Sequence, residues 1–155
     1  RRLLAVRGED GSVVMAGRRK TDFDADTWTR RAGRDRAAAW PDAGATAGGR
    51  LRCDALGCAY EAAGQVVAFA TDPAALAEDC RRATAVVSFS SVRRRACARP
   101  ELIIDSGRLR REGTHALWLT PSGIRVETVA ADRGDRPWSR RPSSAGTGRP
   151  DGPAP

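Results

Sequence analysis

The apolar residues of this chain fall in short runs separated by turn sequences, and this spacing constrains the fold more than any other feature. Val66–Ala70 and Ala116–Leu119 have the length of single strands. No apolar run approaches the ~18 residues of a membrane-spanning helix. Asp-Gly and Pro-Ser-Gly sequences lie between pairs of runs, as they do in β-hairpins. The 155 residues are enough for one domain with a modest core.

Alternation, β-branched content and turn residues predict strands along most of the chain. The predicted strands are Leu3–Val6, Val13–Met15, Leu51–Cys53, Cys58–Glu61, Gln65–Ala70, Thr84–Phe89, Glu101–Ile104, Thr114–Leu119 and Ile124–Thr128. The first two of these strands are predicted to form a hairpin, the third to fifth a small meander, and the last two a final hairpin.

Two short helices are predicted among these strands. Ala25, Trp28 and Ala32 recur with helical spacing, which indicates one amphipathic helix. Asp72-Pro73 is a typical helix start, with a capping carboxylate before proline, and predicts a second helix over 73–82. The predicted fold class is α+β, strand-rich, with two short helices packed on an antiparallel or mixed sheet.

Composition divides the chain into a folded part and a tail. Residues 33–49 are rich in Gly, Ala, Asp and Pro and are predicted to form a loop. The stretch 142–155 has little to bury, so we expect a disordered tail. The domain prediction is one folded unit over 1–140 and a tail over 141–155.

The charge balance favours anionic partners. The chain has 27 Lys and Arg against 19 Asp and Glu, a net charge of +8, and a pI of about 10.7. The arginines form separate clusters, which leaves open a solvated surface of an arginine-rich composition or direct DNA contact. The candidates for DNA contact are Arg93, Arg94 and Arg95. Trp118 lies within an apolar strand and is predicted to be a core residue.

Four cysteines form an even set without a Cys-x-x-Cys pair, which argues against a zinc ribbon. In an oxidising compartment three pairings are possible, of which Cys53 with Cys58 and Cys80 with Cys97 is the most economical. The alternative is a set of buried free thiols in a cytosolic domain.

Candidate catalytic groups are few. His115 is the single histidine, it opens a predicted strand, and no Gly-x-Ser-x-Gly or phosphate-binding glycine motif accompanies it. We expect a structural histidine. Asp105 follows an apolar strand and could ligate a metal or cap a helix, and the cap is favoured. No catalytic residue, metal ligand or cofactor is therefore predicted in this chain, and no small-molecule ligand is evident.

Several segments taken in order resemble the extreme C-terminal part of ComEC-family competence proteins, which are inner-membrane proteins for DNA uptake in natural transformation. The likeness extends from about Leu3 to Trp138. The segments that carry it are Arg52–Cys58, Ala77–Ala83, Ala85–Ser88 followed by Cys97, Ile103–Asp105, Gly113–Leu119 and Arg136–Trp138.

The resemblance implies the last portion of a metallo-β-lactamase-like domain that follows a membrane channel and faces the periplasm. It also implies an inner-membrane parent protein, membrane contact through upstream segments, DNA as partner, and cysteines suited to an oxidising compartment. In the family, His-x-His-x-Asp-His motifs hold the metal that acts on DNA, and this sequence has none. We expect a non-catalytic C-terminal segment of a longer chain.

Three alternatives remain open at this stage. Metal ligands upstream of Arg1 would make this segment part of a metal-dependent nuclease. A stand-alone disulfide-bearing secreted module is the second, and a decayed reading frame from GC-rich DNA is the third. The regular alternation of strands and turns argues against the third.

Overall fold

The computed structural model describes residues 3–17 and 23–134, and within them the fold is α+β and rich in strands, as predicted. The strands are β1 (Leu4–Arg7), β2 (Val13–Ala16), β3 (Ala38–Ala39), β4 (Gly44–Thr46), β5 (Leu51–Cys53), β6 (Gly57–Ala62), β7 (Gln65–Ala70), β8 (Ala85–Ser88), β9 (Leu102–Ile104), β10 (His115–Thr120) and β11 (Gly123–Thr128). The α-helices are α1 (Phe23–Arg31), α2 (Leu76–Arg82), α3 (Ser106–Glu112) and α4 (Val129–Arg133), and 3-10 turns span Pro73–Ala75 and Arg94–Ala96.

A mixed six-stranded sheet forms the centre of the described part, in the order β4-β5-β6-β7-β8-β9. Neighbours from β4 to β7 are antiparallel, which confirms the predicted meander. The pairs β7-β8 and β8-β9 are parallel. The β7–β8 crossover contains the 3-10 turn Pro73–Ala75, which Asp72 caps by accepting a hydrogen bond from the backbone N–H of Ala74, and α2 follows this turn directly. The predicted mixed sheet is confirmed, and the helix predicted over 73–82 is present as this capped 3-10 turn followed by α2.

Two smaller sheets accompany the central one. β1 and β2 form the predicted antiparallel hairpin, and β3 adds to β2 in parallel. β10 and β11 form the predicted final hairpin. The prediction of a loop over 33–49 is wrong in part, because this stretch contains β3 and β4. Both are two or three residues of mostly Ala and Gly, which are too short to show alternation.

The elements are stacked in layers with the six-stranded sheet inside. One of its faces packs on α2, where Cys80 and Ala83 join Ala68 and Val86 in a core cluster. Its other face packs on the small sheet and on the β10–β11 hairpin. The outer side of the small sheet buries Ala25 of α1. The layers therefore run helix, sheet, sheet, helix.

The helix count differs from the prediction. The described residues contain four α-helices where the fold prediction named two; the favoured cap at Asp105 implied a helix at α3, whereas α4 was not predicted. Each has at most seven residues and no buried residue, so no apolar period marks it. Their caps are regular: Asp105 accepts from the N–H of Arg108, and Thr128 accepts from that of Ala131. The predicted capping role of Asp105 is confirmed.

Some sequence predictions fall on parts of the chain outside the described residues. These are the tail over 141–155 and the basic cluster at 18–20. Among the described helices, none combines the length and apolar content needed to cross a bilayer.

Candidate nucleic-acid interface

The four cysteines form two disulfides, Cys53–Cys58 and Cys80–Cys97. This is the most economical of the three pairings, and no cysteine is free. The first bond joins β5 to β6 across a tight turn. The second joins α2 to the loop between β8 and β9. The alternative of buried free thiols is therefore wrong.

The loop between β8 and β9, residues 89–101, carries the predicted DNA-contact residues, and we call it the arginine loop. Its inward side chains are Cys97, which is 1% exposed, and Pro100, which is fully buried. Arg93, Arg94 and Arg95 are all exposed, and Arg94 and Arg95 belong to a 3-10 turn. The three arginines point away from the core because the following residues anchor the loop to it.

A carboxylate fixes the start of the arginine loop. The two oxygens of Asp105 accept hydrogen bonds from the backbone N–H of Arg108, at 2.9 Å, and of Val92, at 3.2 Å. These bonds, that of Arg108 first, lower the pKa of Asp105 below its ordinary value. Asp105 is therefore ionised at neutral pH and holds the residue that directly precedes Arg93.

A second group of arginines lies beside the loop. Arg81 and Arg82 follow Cys80 at the end of α2, and both are exposed. The disulfide holds the Cα atoms of Cys80 and Cys97 5.0 Å apart, so it places the end of α2 against the arginine loop. Arg82 pairs with Glu78 at 2.7 Å on the same helix. The structure thus links the end of α2, which carries Arg81 and Arg82, to the arginine loop.

An open cavity of about 420 Å³ lies between the arginine loop and α3, and three arginines and three carboxylates line it. Its cationic lining residues are Arg94, Arg108 and Arg111. Arg108 donates to Glu112 at 2.9 Å, and although partial burial opposes ionisation, this bond lowers the pKa of Glu112. Two of the carboxylates in the lining, Asp105 and Glu112, are thus already engaged within the fold.

The side chain of His115 is buried, only 4% exposed, and both of its ring nitrogens have hydrogen-bond partners within the fold. Its Nδ1 lies 2.9 Å from the carbonyl oxygen of Gly113, and its Nε2 lies 3.1 Å from Glu112 Oε2. Within residues 3–17 and 23–134, no group of three or more His, Cys, Asp or Glu residues could hold a metal ion.

The prediction that Trp118 is a core residue is wrong. Its side chain is 40% exposed, and the Arg125 guanidinium lies over the ring, 4.2 Å from its centroid. Trp118 pairs with Arg125 across the hairpin, whereas Leu117 and Leu119 face the central sheet. Trp118 therefore lies on the outer face of the hairpin, where an aromatic ring and an arginine are accessible together.

Comparison with protein-family models, with curated proteins and with solved structures finds no match for this chain. A function is therefore inferred from the residues of the chain itself.

Proposed function

We propose that this chain is the C-terminal periplasmic part of a ComEC-type inner-membrane protein for DNA uptake, that it is itself non-catalytic, and that the arginine loop contacts the DNA backbone. The observation that carries the DNA contact is the arrangement of Arg93, Arg94 and Arg95. They are exposed on a loop that a disulfide and the Asp105 carboxylate hold in place, and the same disulfide links this loop to the end of α2.

The segments that resemble the competence proteins support the first part of the proposal. Four of them build the central sheet and its helix, as β5 with its turn, α2, β8 and β9. The resemblance therefore rests on residues that form the core and both disulfides. Two disulfides are also typical of proteins in an oxidising compartment such as the periplasm.

The chemistry of the arginine loop suits sequence-independent binding. Guanidinium groups pair with phosphate oxygens, and each neutralised phosphate releases condensed counterions. A surface of this kind binds any strand and loses affinity steeply as salt is added. Strand passage through an uptake channel needs contacts of this sequence-tolerant type.

The DNA contact is tested by fluorescence anisotropy with a labelled oligonucleotide between 50 and 200 mM salt, conditions chosen for their large effect on phosphate contacts. The test variant carries Arg93→Gln, Arg94→Gln and Arg95→Gln. The matched control carries Arg30→Gln, Arg31→Gln and Arg36→Gln. The control arginines are also exposed and lie in or after α1, on the opposite outer layer. Both variants lose the same net charge.

We expect the test variant to bind at least ~10-fold more weakly and its salt slope to decrease by roughly 2 to 3, one unit per lost phosphate contact. The control should lose much less affinity and keep its slope. An equal loss in both variants, a flat salt response of the wild type, or no binding at low salt would refute the DNA contact.

The parent protein is tested separately, by sequencing the coding DNA upstream of Arg1 in frame. Several apolar spans of ~20 residues would support the uptake protein. A His-x-His-x-Asp-His motif after those spans would replace the non-catalytic role with a nuclease domain. A signal peptide or a stop codon shortly upstream would refute the uptake assignment.

A further inference from the structure

A row of residues crosses the central sheet at the Cys53–Cys58 disulfide. Gly44 of β4 is directly opposite Cys53 of β5, Cys53 is opposite Cys58 of β6, and Cys58 is opposite Phe69 of β7. Directly opposed residues project to the same face of a sheet. The disulfide therefore has a glycine on one side and a phenylalanine on the other.

The Cys58 side of the bond is covered by two aromatic rings. The indole Nε1 of Trp40 donates to Cys58 Sγ at 2.9 Å. The same indole packs edge-to-face on Phe69, with ring centroids 5.2 Å apart. A thiolate that attacked Cys58 in line with the S–S bond would have to displace these rings.

Cys53 packs on the buried cluster that contains Ala47 and Leu51, and its side towards Gly44 is open. Gly44 has no side chain, and a Cβ atom built there would have no atom within 4 Å. Cys53 and Cys58 are both partly exposed. The other disulfide differs sharply, because Cys80 is 5% exposed and Cys97 is 1% exposed. The open approach to the Cys53–Cys58 bond is therefore on its Gly44 side.

We propose that Cys53–Cys58 is a site of thiol–disulfide exchange, at which a small thiol attacks Cys53 Sγ from the Gly44 side and Cys58 is the leaving group. The attacking thiolate forms a new S–S bond to Cys53 as the Cys53–Cys58 bond breaks. The electron pair of the broken bond passes to Cys58 Sγ, which leaves as a thiolate and later takes a proton from water. If the reagent is a dithiol, its second thiolate attacks its own sulfur in the mixed disulfide. Cys53 is then released, and the dithiol is oxidised by two electrons.

Trp40 acts as a positioning residue in this exchange. Its N–H already points at the sulfur on which negative charge develops. A hydrogen bond to the charged form stabilises a thiolate, and a more stable thiolate leaves faster. The aromatic cover of Cys58 and the donor to its sulfur thus favour the same direction of attack.

The attacked sulfur is identified by treating the oxidised chain with reduced glutathione under native conditions, quenching with acid, and alkylating the free thiols. Cleavage before aspartate separates Cys53, in residues 42–53, from Cys58, in residues 54–71. We expect glutathione on the first peptide and the alkyl group on the second, with Cys80–Cys97 intact. Glutathione mainly on Cys58, an even distribution, or opening of Cys80–Cys97 at the same rate would overturn the proposal.

The role of Trp40 is tested with Trp40→Phe, which keeps an aromatic ring and removes the N–H. We expect reduction by dithiothreitol to slow by about threefold or more. In the reduced chain, Cys58 should alkylate only at higher pH than in the wild type. The control, Trp118→Phe, alters a tryptophan on the hairpin and should change neither readout. If Trp40→Phe alters stability but leaves the pH profile of Cys58 unchanged, the positioning role is refuted. The peptide map of the wild type still decides the site of attack.

Discussion

The carboxylate of Asp105 accepts a hydrogen bond from the backbone N–H of Val92, 3.2 Å away and 13 positions earlier in the chain. The same carboxylate caps α3 through the N–H of Arg108. One side chain therefore links the start of a helix to the start of the arginine loop. This linkage, with the Cys80–Cys97 disulfide, holds both ends of the segment that carries Arg93, Arg94 and Arg95.

Replacing Asp105 by alanine is expected to reduce the free energy of unfolding by about 1–2 kcal/mol at neutral pH, because a helix cap and a loop anchor are lost together. Urea denaturation measures the loss. Asp42→Ala is the control, since Asp42 is exposed and in a loop. A loss no larger than that of the control would show that the Asp105 bonds contribute nothing measurable.

The cost of Asp105→Ala should depend on pH. The folded-state pKa of Asp105 is lowered, first by the hydrogen bond from Arg108. The carboxylate therefore contributes its full stability above its unfolded-state pKa of about 3.9 and loses it as the pH falls through the folded-state value. Denaturation curves of both proteins at pH 7 and at successively lower pH should converge. A constant difference over this range would contradict the assignment.

Asp79 should show the opposite dependence. Burial, followed by the charges of Asp54 and Glu78, raises the pKa of Asp79. A raised carboxyl pKa means that the folded state binds the proton more tightly, so stability falls as the pH rises through that range. We expect Asp79→Asn to raise the free energy of unfolding at neutral pH by roughly a few tenths of a kcal/mol. The gain is small because solvent screens the partly exposed carboxylate. The gain should vanish at low pH, whereas Asp42→Asn should give none.

The two disulfides should contribute unequally to stability. Cys80–Cys97 closes a loop with a sequence separation of 17, and Cys53–Cys58 one of 5. Loop-closure entropy predicts about 3 kcal/mol for the first and about 2 kcal/mol for the second. Thermal or urea unfolding measures the loss of stability in two double variants, which are compared with each other. These are Cys80→Ala/Cys97→Ala and Cys53→Ala/Cys58→Ala. A larger loss for the second pair would contradict the expected order.

The orientation of the final hairpin is tested with two neighbouring residues. Leu117 packs on the central sheet, and Leu117→Ala should cost about 2 kcal/mol. Trp118 is exposed beneath Arg125, so Trp118→Ala should cost less than about 1 kcal/mol although it removes more atoms. The unfolding midpoints of the two variants show which face of the hairpin is buried, that of Leu117 or that of Trp118. A greater loss at Trp118 would place that residue in the core.

The orientation of Trp118 could have been predicted from the sequence. Strand alternation divides β10 into two faces but does not say which is buried. The turn at 121–122 sets Leu119 opposite Ile124, and therefore Trp118 opposite Arg125. An arginine opposite a tryptophan indicates the solvent face. The position of Trp118 within an apolar run suggested the core, but the register of the turn decides.

Local chemistry was sufficient for the elements that begin or turn within a few residues. Asp72 before Pro73 specified the capped 3-10 turn that leads into α2, and the Pro-Ser-Gly turn specified a hairpin, because the interacting groups are close in the chain. The short separation of Cys53 and Cys58 likewise made their pairing the most economical. The structure contains these predicted features because tertiary packing does not favour a different local conformation at these positions.

Only the tertiary structure decided which distant groups meet. β3 and β4 are strands because β2 and β5 offer them free edges, since their own residues carry no pattern. The link between the end of α2 and the arginine loop, and the contact of Trp40 with Cys58, depend on how the layers stack. Such contacts join residues far apart in the chain, and their energies come from burial and closure of the whole sheet, which no short stretch of sequence encodes.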